Sequence, residues 1–157
     1  MNKFKLLCTS MLLGCSMAMS AQAAETKAEY REAAAPIRAE LSTAQESLQS
    51  LITDNRASAA AYKAAVKTKK ETGTAPVDQE TWNQIKELHQ QIADIRKGMN
   101  KITIKELRQN AKSAVADESY DTAIDYLEDA LDLKEARLDE ISRIHELWQQ
   151  IDSLLAK

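Results

Sequence analysis

Apolar residues recur along this chain at alternating steps of three and four, with no strand-like alternation, so the sequence reads as helix throughout. From Ile37 the pattern passes through Leu41, Ala44, Leu48, Leu51, Asn55, Ser58, Tyr62 and Ala65. That is a heptad seam whose middle is weakened by Asn55 and Ser58. Pro36 fits the first turn of such a helix, where its missing N–H costs nothing, which predicts a helix over 36–70. Ahead of it, residues 24–35 read as a polar, alanine-rich lead-in.

The sequence Glu71-Thr72-Gly73-Thr74-Ala75-Pro76-Val77-Asp78 interrupts the pattern. Gly73 can take the positive φ that ends a helix, Pro76 blocks its resumption, and Asp78 can cap the next one. A second seam follows in regular three–four spacing: Ile85, Leu88, Ile92, Ile95, Met99 and Ile102. It then slips onto Leu107, Ala111 and Ala114, and Thr103 with Glu106 reads as a capping box. The expectation is one helix over 79–116, kinked or loosened near Gly98. After the turn Asp117-Glu118-Ser119, a last helix over 120–156 buries Ile124, Leu127, Leu131, Leu138, Ile141, Ile144, Trp148, Ile151 and Leu155. Trp148 continues that face, whereas Trp82 precedes the Ile85 seam and is expected to be the more exposed of the two.

The expected fold is therefore all-α. Three long antiparallel helices, each about 50–57 Å at 1.5 Å per residue, form an up-down-up bundle or a coiled-coil-like assembly over 36–157. Residues 1–23 are set apart as a signal peptide. Lys3 and Lys5 precede an uncharged apolar run, and Ala21-Gln22-Ala23 offers the small residues for cleavage after Ala23. The run is shorter than the roughly 20 residues a membrane span requires. Leu12-Leu13-Gly14-Cys15 supplies an alternative, since it resembles a lipoprotein signal that would anchor the chain to a membrane through Cys15. Either way the expected location is periplasmic or secreted.

Cleavage after Ala23 leaves 134 of the 157 residues and removes both cysteines, Cys8 and Cys15. The expected mature chain offers no thiol nucleophile and no cysteine ligand. Its balance of 19 basic against 24 acidic residues, a net −5, argues against nucleic acid as a partner. Nothing matches the nucleophile, base and oxyanion roles of a hydrolytic site, so no catalytic residue and no cofactor are assigned. His89 and His145 are the only candidates for a metal site; neither has a ligand partner at helical spacing beyond glutamates that are common everywhere here.

Charge placement is more informative. Residues 117–133 carry Asp117, Glu118, Asp121, Asp125, Glu128, Asp129 and Asp132 and no base, a net −7. Residues 96–112 carry Arg96, Lys97, Lys101, Lys105, Arg108 and Lys112 against Glu106, a net +5. Because these stretches adjoin across a turn, mutual pairing along the hairpin is the favoured use of the acids. The alternative makes the acids a face for a basic partner or a cation.

Two stretches have relatives in pattern. Tyr120-Asp121-Thr122-Ala123-Ile124-Asp125-Tyr126-Leu127-Glu128-Asp129-Ala130-Leu131-Asp132-Leu133 resembles the second helix of a tetratricopeptide repeat, including the small Ala123 and Ala130. Leu107 and Ala111 stand roughly where the repeat has Trp and Gly, and Glu135 stands in place of its closing Pro. One copy implies a helical hairpin of similar packing and not a repeat array. Leu41-Ser42-Thr43-Ala44-Gln45, Ile102-Thr103-Ile104-Lys105-Glu106 and Thr81-Trp82-Asn83-Gln84 resemble the Leu-Thr-x-x-Gln motif of Spy-like periplasmic chaperones. That resemblance implies client binding on a concave helical surface. The sequence thus points to an exported, non-enzymatic helical protein acting through contacts with a protein partner or with itself. A Spy-like stress chaperone and a weakly metal-binding envelope protein are the alternatives.

Overall fold

The computed structural model describes residues 24–99 and 103–156. The leader with Cys8 and Cys15, Lys101 of the basic stretch and Ile102 of the second seam lie outside the described residues. The fold is all-helical, with no strand among the described residues, and is built from α1 (Lys27–Thr72), α2 (Gln79–Gly98), α3 (Ile104–Ala116) and α4 (Tyr120–Leu155). Among the described residues four helices replace the three expected, because the middle one divides in two.

The division has a local cause. Met99 leaves helical geometry with ψ near 135°, and a new helix begins behind Thr103. The Thr103 hydroxyl accepts from the Glu106 N–H at 3.2 Å, while the Glu106 carboxylate accepts from the Thr103 N–H at 2.9 Å. That reciprocal box satisfies the donors of a fresh first turn, which a merely kinked helix would not leave free.

The first helix also departs from expectation. It starts at Lys27 behind a second box, with the Thr26 side chain accepting from Glu29 N–H at 3.3 Å and Glu29 accepting from Thr26 N–H at 2.9 Å. The supposed lead-in is therefore helical from Lys27 onward, and Pro36 lies inside α1 on its exposed side. At 46 residues α1 extends about 69 Å. Its seam reaches back through Ala34 to Tyr30, both buried. The helix ends at Gly73, whose φ of 76° is the left-handed conformation a side chain resists.

The turn into α4 shows the same conformation without a glycine. Glu118 has φ 58°, and Ser119 N–H donates back to Ala114 O at 2.8 Å. This closes α3 by a Schellman motif and sends the chain into α4 within three residues.

α4 is the spine, packing against each of the other three helices. It runs parallel to α1, since contacts between them rise together along both chains, from Leu41 with Lys134 to Ser58 with Asp152. α2 and α3 each pack against α4, so two helices stand where one long middle helix was expected. The core is correspondingly double. One cluster joins Tyr30, Ala34, Ile37 and Leu41 of α1 to Ala111 and Ala114 of α3 and to Ala123, Leu127 and Ala130 of α4. The other joins Trp82, Ile85 and Ile92 of α2 to Ile144, Trp148 and Ile151 of α4, with Tyr62 of α1 packed against it. Trp148 is 1% exposed, as the periodicity predicts. Trp82, at 4%, is the more exposed of the two but is still buried, because it stacks on Tyr62 with ring centroids 6.4 Å apart beneath the Lys69 ammonium.

Between the clusters the inner face of α4 turns polar. Lys134 and Arg137 occupy positions that continue the steps of Ala123, Leu127 and Ala130 toward Ile141 and Ile144. Asn55, which weakened the first seam, is buried nearby, where its Nδ2 donates to Ile141 O at 3.4 Å. The sequence's weak middle is thus a polar waist.

Candidate functional site

The strongest concentration of chemistry lies beside the first cluster. α1 and α3 both rest on α4 but stand apart from each other, leaving a cleft of about 920 Å³. Lys27, Arg31 and Arg38 line it from α1, at steps of four and seven that keep them on one face. Lys105, Arg108 and Lys112 line it from α3, at steps of three and four. Lys134 reaches it from α4, and Ala111 and Leu127 form its apolar floor. Among the described residues seven cations thus converge, with no carboxylate in the lining.

Two of the seven are held in place. Arg38 donates to the Tyr30 hydroxyl at 2.8 Å and lies over that ring at 5.3 Å, while Tyr30 stacks on Tyr120 at 5.8 Å. Lys134 is only 2% exposed and donates to the Leu41 carbonyl at 2.8 Å. Burial depresses the pKa of its ammonium, and the neighbouring Arg108 guanidinium depresses it further.

The acids predicted as a partner face are exposed, Asp117 and Glu118 in the turn before α4 and Asp121, Asp125, Glu128, Asp129 and Asp132 along α4 itself. The expected pairing with 96–112 does not form: no ion pair among the described residues joins the two stretches, and Lys97 instead pairs with Asp94 at 3.9 Å. The reason is geometric. At 100° per residue the acids fall on the side of α4 opposite Ala123, Leu127 and Ala130, whereas the α3 cations turn toward α1. Adjacency in sequence put the stretches on neighbouring helices but on different faces. The Asp121 side chain makes a structural contact, its Oδ1 accepting from Ala24 N at 2.7 Å.

The histidines serve packing. His89 stacks on Tyr62 at 4.4 Å and meets Trp148 edge-on at 5.8 Å. His145 Nδ1 lies 3.0 Å from Asn55 Oδ1, and its Nε2 lies 2.9 Å from Gln149 Nε2. The two rings engage different α1 residues, and among the described residues no three His, Cys, Asp or Glu side chains gather as a metal site.

His89 nevertheless carries a pH effect. Burial, and secondarily Arg96, lower its pKa below the usual 6.5. The unfolded chain therefore takes up this proton at a higher pH than the folded one. Stability should hold above about 6.5 and decline as the pH falls from there through the folded pKa. Urea midpoints measured across that window should slope less in His89→Gln than in the parent; equal slopes would exclude His89 as the source.

Sequence reading missed the α1 half of the cleft. Lys27 and Arg31 lay in the presumed lead-in, and only a helix there reveals their alignment with Arg38. Among the described residues no helix is long and apolar enough to cross a membrane. Comparison with known protein families, with characterised proteins and with solved structures finds no match to this chain.

Proposed function

We propose that this is an exported, non-enzymatic helical protein that works by protein–protein contact, holding an acidic segment of a partner in the cleft between α1 and α3. The observation that supports this reading is the convergence of seven cations without a lining carboxylate, in a chain whose net charge is negative. Like charges held side by side repel and weaken a fold, so such a cluster is best explained by an anion that neutralises it. The cationic rows repeat over several helical turns, which suits an extended or helical acidic segment better than a single small ion. A metal-binding role finds less support, because both histidines already contact protein partners. A chaperone-like use would employ the same trough, with acidic rather than apolar client segments.

Calorimetric titration with poly-L-glutamate tests the reading. Binding is expected at low salt and should weaken steeply as exposed charges become screened beyond about 8 Å at physiological ionic strength. Arg31→Glu, Lys105→Glu and Lys112→Glu together should abolish it, since all three are exposed on the cleft walls. Asp125→Lys with Glu128→Lys, on the far side of α4, should leave it intact. Failure of the parent chain to bind, or loss of binding only in the α4 variant, would overturn the proposal.

A further inference from the structure

The inner face of α4 uses alanine, leucine, isoleucine or tryptophan wherever it meets a core, with Lys134 between the two clusters. An aliphatic side chain would suit a position so enclosed. The ammonium has three N–H donors, and the structure gives one of them a partner, the Leu41 carbonyl. That acceptor lies inside α1, where the helix already uses it. No ion pair among the described residues includes Lys134, and the charge that acts on its pKa is another cation, Arg108. Desolvating a charge without a counter-ion is strongly unfavourable in a protein interior. The residue is placed where a counter-ion could reach it from one direction, the cleft it lines.

We propose that Lys134 is the anchor of this cleft, receiving one carboxylate of the bound acidic segment at the cleft floor while the rows on α1 and α3 hold its neighbours. The proposal rests on the cleft being the acid-binding site. The two remaining N–H donors of Lys134 can both reach carboxylate oxygens, and the Arg108 fork beside it can share the load. A glutamate of a polypeptide fits this arrangement because its carboxylate stands on a flexible stem long enough to pass between the walls. The rim cations then govern how strongly the segment is attracted. Lys134 governs whether it is held, since a charge pair buried from water is stronger than one at the surface.

The experiment uses the whole mature chain and the variant Lys134→Met. Methionine keeps the length and fits an apolar seam, so the thermal midpoint should stay the same or rise. Affinity for poly-L-glutamate should fall at least about tenfold, because truncating one member of a buried charge pair removes more than that. A large drop in thermal midpoint with unchanged affinity would make Lys134 a structural residue and overturn the anchor. If Lys134→Met does not fold, the parent chain still decides. Its Lys134 ammonium, followed by NMR with labelled lysine, should show a raised pKa on adding poly-L-glutamate, and an unmoved pKa would overturn the proposal. Should the cleft-wall variant lose poly-L-glutamate while Lys134→Met keeps it, the anchor fails and the proposed function stands. Should the parent chain bind none, both fail. Inorganic phosphate is the remaining arm: binding of phosphate but not poly-L-glutamate, dependent on Lys134, would assign the cleft to a compact oxyanion and overturn the carboxylate anchor.

Discussion

Trp148→Ala is expected to lower the unfolding free energy by about 3–5 kcal/mol. The side chain is 1% exposed and fills the second core, with Tyr62 at 5.9 Å and His89 at 5.8 Å between ring centroids. Neither neighbour can collapse into the void without losing its own contacts, since Tyr62 also stacks on Trp82. Trp148→Phe should cost far less. The indole Nε1 is buried with no hydrogen-bond partner among the described residues, and an orphaned buried donor costs about 1–3 kcal/mol. Phenylalanine removes that donor while keeping much of the ring, so the two effects oppose each other. Urea denaturation of the pair separates them. An alanine variant with an unshifted midpoint would contradict the inner face assigned to α4.

The second large effect runs the other way. Pro36→Ala should stabilise the protein by about 2 kcal/mol. Proline inside a helix removes a hydrogen bond and crowds the preceding turn, at about 3 kcal/mol relative to alanine. It also restricts the unfolded chain, which returns about 0.4–1 kcal/mol. Pro36 is exposed, so alanine there disturbs no core contact. Circular dichroism thermal melts should show the rise. An unchanged or lowered midpoint would mean that α1 needs the proline's geometry to lie along α4.

Both effects bear on what the sequence could reveal. The seam from Ile37 to Ala65 was legible because Ile, Leu and Tyr mark it. Its extension to Ala34 and Tyr30 was not, because alanine is an ambiguous signal and Pro36 resembles a helix start. What separates the first turn from the interior is the Thr26–Glu29 box upstream, a pattern as readable as the Thr103–Glu106 box that divides the middle helix. The depth of Trp82 was not legible because its ring meets Tyr62 and Lys69 of α1 as well as joining the cluster shared with α4. The inner line of α2 runs through Trp82, Ile85, His89 and Ile92, one step around from the Leu88 and Ile95 positions that also looked apolar. Asn55 and Ser58 read as defects in isolation, yet Asn55 contacts Ile141 and His145, and Ser58 donates to Asp152 at 2.5 Å. The cleft was least legible of all. It depends on three helices converging from positions 27–38, 105–112 and 134, and periodicity within one helix carries no information about such long-range meetings.

The opposition of the cationic cleft to the acidic back of α4 gives one end of the molecule a transverse electric dipole. An approaching acidic segment is drawn toward one side of this end and pushed from the other while still beyond contact distance. On the proposed function, the protein would thus be turned to face an acidic segment before the two touch, raising the fraction of productive encounters. Added salt should therefore slow capture first, by shortening the range over which that torque acts, and change the lifetime of the finished complex much less.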